Sequence, residues 1–172
     1  IGRRHSHALV DDVCRVARES GFDRINLELM IGLPQQTPAR WRATLERIVD
    51  MAPDRVALSR YRHRPASVAV QRALDASALP SEAEARAMWA MASELLCSAG
   101  YDWIGADQFV LGDDELATAL QRGELRRNVI SYTATPNAAL LGLGAGAVGE
   151  IDRHLYCNES ALPLWQQSLR EG

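Results

Sequence analysis

The residues best suited to bind an anion sit together in one short stretch: Arg60, Arg62, His63 and Arg64. A guanidinium grips a carboxylate through two parallel N–H donors, so such a cluster is suited to reading carboxylates on a ligand. All 19 basic residues are arginine. Without lysine there is no Schiff-base amine, no phosphate-gripping loop of Walker type and no Ser–Lys pair. Residues 1–64 hold 12 Arg against 8 Asp and Glu, and residues 65–172 hold 7 against 14. The resulting net charge of −3 argues against a nucleic-acid partner.

Metal chemistry finds little support. Cys14, Cys97 and Cys157 are far apart, and none has the close spacing of a zinc knuckle or redox pair. Their odd number, with no signal-type amino terminus, predicts reduced thiols and a cytoplasmic location. His5 and His7 read as surface residues, so no metal ligands are assigned. No apolar run approaches the roughly 18 residues of a membrane span.

The elements that must position the arginine cluster follow from periodicity. Ala8, Val10, Val13, Cys14, Val16 and Ala17 recur at helical spacing, and Gly21 stops them. Residues 24–31 form a short apolar run of the kind found in a buried parallel strand. Gly32-Leu33-Pro34 breaks it, and Thr37-Pro38 caps a helix with Trp41, Leu45, Ile48 and Val49 on its apolar face. A second strand over 55–61 then places Arg60 to Arg64 at its carboxy-terminal end, where barrel enzymes keep their active sites. Strands alternating with helices imply a parallel α/β sheet.

Further on, Val68–Leu74 reads as a short helix. Ser81-Glu82-Ala83-Glu84 reads as a capping box for a helix reaching Cys97. Strands are expected over 101–105 and 129–133, with a helix over 113–122 between them. The glycines of 140–148 imply close backbone approach, and a last helix spans 162–169. No repeat or low-complexity linker is present.

The stretch Ile25-Asn26-Leu27-Glu28-Leu29-Met30-Ile31-Gly32-Leu33-Pro34-Gln35-Gln36-Thr37-Pro38 resembles the strand-and-turn motif of coproporphyrinogen-oxidase-like radical S-adenosylmethionine enzymes. Further matches follow in order: Pro53-Asp54-Arg55, Tyr61-x-His63-x-Pro65, Leu79-Pro80-Ser81, Gly105-x-Asp107-x-Phe109, Asp113-Asp114-Glu115-Leu116-Ala117, Gly123-x-Leu125-x-Arg127-Asn128, Tyr132-Thr133, Leu141-Gly142-x-Gly144 and Tyr156-x-Asn158. The later ones favour the oxidases over their haem-chaperone relatives.

The resemblance implies an α/β fold, the later part of a partial (β/α) barrel over 1–65 followed by a substrate-side region over 66–172. It also implies S-adenosylmethionine and a 4Fe–4S cluster as cofactors, a tetrapyrrole substrate and an electron-donor protein. The expected reaction is oxidative decarboxylation of two propionates to vinyl groups. The family holds its cluster in a Cys-x-x-x-Cys-x-x-Cys loop that this sequence lacks. The chain therefore reads as the later part of a split, truncated or partly represented protein, needing an amino-terminal cluster-binding segment as partner.

Site residues carry over position by position. Glu28 stands where the family has an aspartate that contacts the cofactor, and its carboxylate can accept hydrogen bonds from ribose hydroxyls or an amino group. Arg62 replaces a small neutral residue near the cofactor and is a cofactor-site candidate: it binds a substrate or cofactor carboxylate, fills the old adenosine pocket, or belongs to an exposed basic rim. Val129, Ile130 and Ser131 replace an aromatic–amide–glycine run near a second cofactor molecule, and Val148 replaces isoleucine there. Arg60, Arg64, Asp107 and Tyr132 are the substrate-side candidates, with Tyr156 and Asn158 lining a cleft or packing a core. Two other functions remain open, a divergent radical enzyme with another substrate and a non-catalytic haem-binding or chaperone-like protein.

Overall fold

Side-chain oxygens write three of the helix starts. In the computed structural model, which describes residues 6–135, 139–152 and 154–171, helix α1 (His7–Glu19) begins at Ser6, whose hydroxyl accepts the Leu9 N–H. Helix α2 (Pro38–Met51) begins at Thr37, with proline in its first turn. Helix α3 (Glu82–Ser98) carries the expected capping box: Ser81 accepts the Glu84 N–H at 3.2 Å, and Glu84 accepts the Ser81 N–H at 2.8 Å. His5 lies outside the described residues, and His7 is exposed.

Strand β1 (Asn26–Ile31) pairs in parallel with β2 (Arg55–Arg60), Asn26 opposite Arg55 through Ile31 opposite Arg60, and α2 makes the crossover. Alternation then decides the faces. Leu27, Leu29, Ile31, Val56 and Leu58 join the core formed with Trp41, Leu45 and Ile48 of α2 and Ala85, Met88, Ala92 and Leu96 of α3. Trp41 is buried and its indole N–H donates to the Met88 carbonyl at 2.8 Å, so the ring contributes its apolar area without an orphaned donor. Full burial of a side chain such as Leu45 contributes about 1.5–3 kcal/mol.

The sheet does not stay parallel. Strands β3 (Tyr101–Trp103) and β4 (Gln108–Leu111) form a hairpin, β4 running antiparallel to β2, in the order β1-β2-β4-β3. The connection over 104–107 is too short for a parallel crossover, which needs a dozen or more residues. The expected strand over 101–105 is β3, and the Gly105-x-Asp107-x-Phe109 motif leads into the additional strand β4. The segment over 68–74 is 3-10 at Ala69–Ala73, followed by a second 3-10 turn at Ala76–Ala78.

At the amino-terminal ends of the strands an ionic network ties the sheet together. Buried Asp54 accepts the Ile25 N–H at 2.7 Å and pairs with Arg18 and, at 3.3 Å, with Arg24. Burial alone would raise the Asp54 carboxyl; the Ile25 N–H and the two guanidiniums outweigh it and hold it below its ordinary range. Asp114 is fully buried beside Arg55 at 2.8 Å. Helix α4 (Glu115–Gln121) starts later than the acidic run at 113 suggests, because 111–114 form a turn in which the Asp114 N–H donates to the Leu111 carbonyl at 2.9 Å.

The chain divides into two compact units, Ile1–Asp114 and Glu115–Gly172. In the second, α4 leads to β5 (Arg126–Arg127) and β6 (Tyr132–Thr133), an antiparallel pair. The expected strand over 129–133 is largely replaced by a turn, because Asn128 Oδ1 intercepts the N–H groups of Ile130 at 2.9 Å and Ser131 at 2.8 Å. Hairpin β7 (Val148–Ile151) and β8 (His154–Cys157) follows, then α5 (Leu162–Glu171). The close approach inferred from the glycines is present: a Cβ on Gly142 would meet the Val148 carbonyl oxygen at 2.6 Å.

Candidate functional site

β1 and β2 leave one face of the sheet free of the helix layer. On that face Glu28 stands opposite Ala57, and Met30 opposite Ser59, at the carboxy-terminal half of both strands. The loop after β1 and the 3-10 segments after β2 rise beside them and enclose a cleft of about 780 Å³. This is within the range of small-molecule and cofactor sites.

One wall is built by a single amide. Gln36 Oε1 accepts the N–H groups of Gly32 at 2.7 Å and Leu33 at 3.3 Å, while its Nε2 donates to the Met30 carbonyl at 3.1 Å. The turn needs this help, since Gly32 has φ 92° and Gln35 has φ 61°. Gln35 then donates its N–H to the Ala78 carbonyl at 2.7 Å, joining this wall to the one formed by Ala73, Leu74 and Asp75.

The lining is acidic. Glu28 and Asp75 both line the cleft beside Ser59, and among the described residues no arginine does. Among the described residues no hydrogen bond or ion pair engages the Glu28 carboxylate, which is exposed. Asp75 accepts the Ser77 hydroxyl at 2.7 Å and the Ser77 N–H at 2.9 Å, and these hold its carboxyl below the ordinary range.

The other candidates fall in several places. Arg60 pairs with Glu82 at the start of α3, so its charge is already answered. Arg62 and Arg64 are exposed just beyond β2, outside the cleft lining. His63 Nδ1 meets the Tyr61 hydroxyl at 3.0 Å. Asp107 is half-buried and its carbonyl accepts the Leu58 N–H at 2.7 Å.

In the second unit, Ile130 is exposed on the Asn128 turn, Val148 opens β7, and Tyr132 carries the Arg127 guanidinium 5.5 Å from its ring centre. Tyr156 and Asn158 fix the glycine loop: Tyr156 Oη accepts the Gly142 N–H at 2.9 Å, and Asn158 donates to the carbonyls of Gly142 and Gly144. Sequence reading missed Gln36, Ser59 and Asp75. Gln36 sits inside the quoted motif and could have been found as a side chain suited to bridge a strand end; the other two carry no local signal.

The residues present fit S-adenosylmethionine in one respect that geometry tests: a cleft of suitable size offers carboxylates to a ligand bearing a sulfonium, amino groups and hydroxyls. They do not fit an iron–sulfur cluster. The three thiols are free, Cys14 lines a separate cleft of about 270 Å³ at the amino-terminal strand ends, and no group of three metal ligands occurs among the described residues.

The fold is that of part of a radical S-adenosylmethionine enzyme: a solved structure of Escherichia coli coproporphyrinogen III oxidase, described as a radical SAM enzyme, matches 99% of the chain with TM-score 0.93 and 34% identity. The sequence is similar over nearly its whole length to oxygen-independent coproporphyrinogen III oxidases. The Pseudomonas aeruginosa enzyme is 38% identical over 93% of the chain, and the Escherichia coli K12 enzyme 34% over 99%. An anaerobic coproporphyrinogen III oxidase of Cereibacter sphaeroides is 31% identical over the full chain. The chain spans 35%, 37% and 38% of these relatives and 40% of the solved chain, so it corresponds to a portion of them. No family model matches.

Proposed function

We propose that this chain forms the cofactor-facing and substrate-side part of an oxygen-independent coproporphyrinogen III oxidase, acting in oxidative decarboxylation of propionates to vinyls. The observation that carries the reading is the cleft floored by Glu28 at the carboxy-terminal ends of two parallel strands, in a chain similar throughout to those oxidases. Glu28 and Ser59 hold S-adenosylmethionine, and Gln36 keeps the wall beside it in shape. When bound together with a reduced cluster, that cofactor supplies the hydrogen-abstracting radical.

Cluster ligands come from a segment outside these residues, since the thiols here are dispersed. Arg62 and Arg64, exposed beyond the acidic cleft, read the carboxylates of a tetrapyrrole. Charge thus separates two ligands: carboxylates in the cleft favour a cationic cofactor, and arginines beyond it favour an anionic substrate. Ile130 and Val148 stand where the resemblance puts contacts to a second cofactor molecule, and Tyr132, with Asp107 just before β4, belongs to the substrate side. An electron-donor protein and a cytoplasmic location complete the reading; among the described residues no helix is long and apolar enough to cross a membrane.

A divergent radical enzyme with another substrate is the second reading, favoured by the exposed aliphatic Val129 and Ile130 on the Asn128 turn. The test uses the full polypeptide carrying this chain, reconstituted with iron and sulfide without oxygen and then reduced. Carbon dioxide and protoporphyrinogen formed from coproporphyrinogen III support the oxidase. Cofactor cleavage without decarboxylation supports the second reading, and failure to form a cluster overturns both.

A further inference from the structure

The cleft holds a second carboxylate that the function described so far does not use. Asp75 lies between the two 3-10 turns and lines the cleft with Glu28, one from the connection after β2 and the other from the sheet. It reaches that position from a braced backbone. The Ala78 carbonyl, three residues on, receives the Gln35 N–H from the facing wall at 2.7 Å, and Ser77 donates twice to Asp75 Oδ1. Both Ser77 bonds fall on Oδ1, and among the described residues no hydrogen bond or ion pair engages Oδ2.

We propose that Asp75 is a specificity-determining residue of this cleft, making it read the positive charge of its ligand: the sulfonium of S-adenosylmethionine binds in preference to the neutral thioether of S-adenosylhomocysteine. The proposal rests on the cofactor reading of the cleft. Its physical basis is that the two ligands differ at the sulfur by one methyl and one charge, whereas the rest of their polar groups are shared. A carboxylate lining the same cleft favours the ligand that carries the positive charge, and a neutral wall discriminates only by shape. Among the described residues no arginine or histidine lines the cleft to cancel the field of the two acids. Because Asp75 is exposed, screening limits the effect to a modest factor that falls with added salt.

The test is equilibrium dialysis of S-adenosylmethionine and S-adenosylhomocysteine against the full polypeptide carrying this chain, with its cluster left unreduced so that no turnover occurs. Asp75→Asn keeps an oxygen acceptor for Ser77 and removes the charge. It is expected to weaken S-adenosylmethionine about fivefold and S-adenosylhomocysteine less than twofold. Ser77→Ala removes one brace and leaves the charge, and is expected to preserve the preference. Equal weakening of both ligands by Asp75→Asn, or no change in either, would overturn the proposal while leaving the cofactor reading intact. No binding of either ligand to the parent protein would overturn that reading and the proposal with it.

Discussion

Gln36 Oε1 accepts the Gly32 N–H at 2.7 Å, and the same amide donates to the Met30 carbonyl at 3.1 Å. These two backbone groups lie on the side of β1 away from β2, whose own bonds use alternate residues such as Ile31, whose carbonyl accepts the Tyr61 N–H at 2.8 Å. A side chain therefore closes the end of an edge strand and sets the turn that walls the cleft.

Gln36→Leu, similar in size, leaves both backbone groups without this partner. The expected loss is about 1–3 kcal/mol of unfolding free energy in urea, with weaker cofactor binding. Unchanged stability and binding would show that water replaces the amide at no cost.

Asp54 makes stability depend on acid. Its folded-state carboxyl is held below an ordinary value of 3.8, so the stabilisation is complete above that value, declines as pH falls below it, and is gone once pH passes the lower folded value. Asp54→Ala leaves Arg18, Arg24 and the Ile25 N–H without their common acceptor, at an expected cost of about 3 kcal/mol near neutrality. Thermal unfolding followed from pH 7 downward should show the variant losing less stability on acidification than the parent.

Glu28 is exposed and has no partner among the described residues, so Glu28→Gln should leave unfolding free energy within about 0.5 kcal/mol. Cofactor affinity should fall about tenfold, the scale of one hydrogen bond to a charged acceptor. Dialysis and urea unfolding on the same preparation separate the two effects.

In the second unit, Gly149 lies directly under the Tyr156 ring, and any Cβ there would overlap the ring. Gly149→Ala should cost about 1–3 kcal/mol through displaced packing. Tyr156→Phe keeps the ring and loses the acceptor for the Gly142 N–H, at about 1 kcal/mol. Differential denaturation reads both, and an inverted order would mean that the hydroxyl, rather than the fit of glycine to ring, holds the loop.

Local signals made much of this legible. The caps at Thr37 and Ser81, the apolar faces of α2 and α3 and the parallel pair β1–β2 follow from periodicity and from side chains that satisfy nearby backbone. The antiparallel β4 was not legible, because Gln108–Leu111 is short and its pairing with β2 depends on a hairpin connection rather than on its own pattern. Val129 and Ile130 have strand propensity, yet Asn128 captures the donors a strand would use.

The site divides the same way. Glu28 could be read from the motif, while Asp75 reaches the cleft only through the 3-10 turns that carry it there. Arg60 looked like a free cation beside Arg62 and Arg64. Its pairing with Glu82, 22 positions away, is a tertiary fact that spacing does not encode.

The most direct test of the function replaces the matching portion of the Escherichia coli oxidase, to which this chain aligns over 171 residues, with the chain itself, and follows decarboxylation of coproporphyrinogen III without oxygen. The account predicts carbon dioxide release with both propionates converted, lost again in the Glu28→Ala version of the chimera. A folded chimera that assembles its cluster and cleaves S-adenosylmethionine yet releases no carbon dioxide would contradict it.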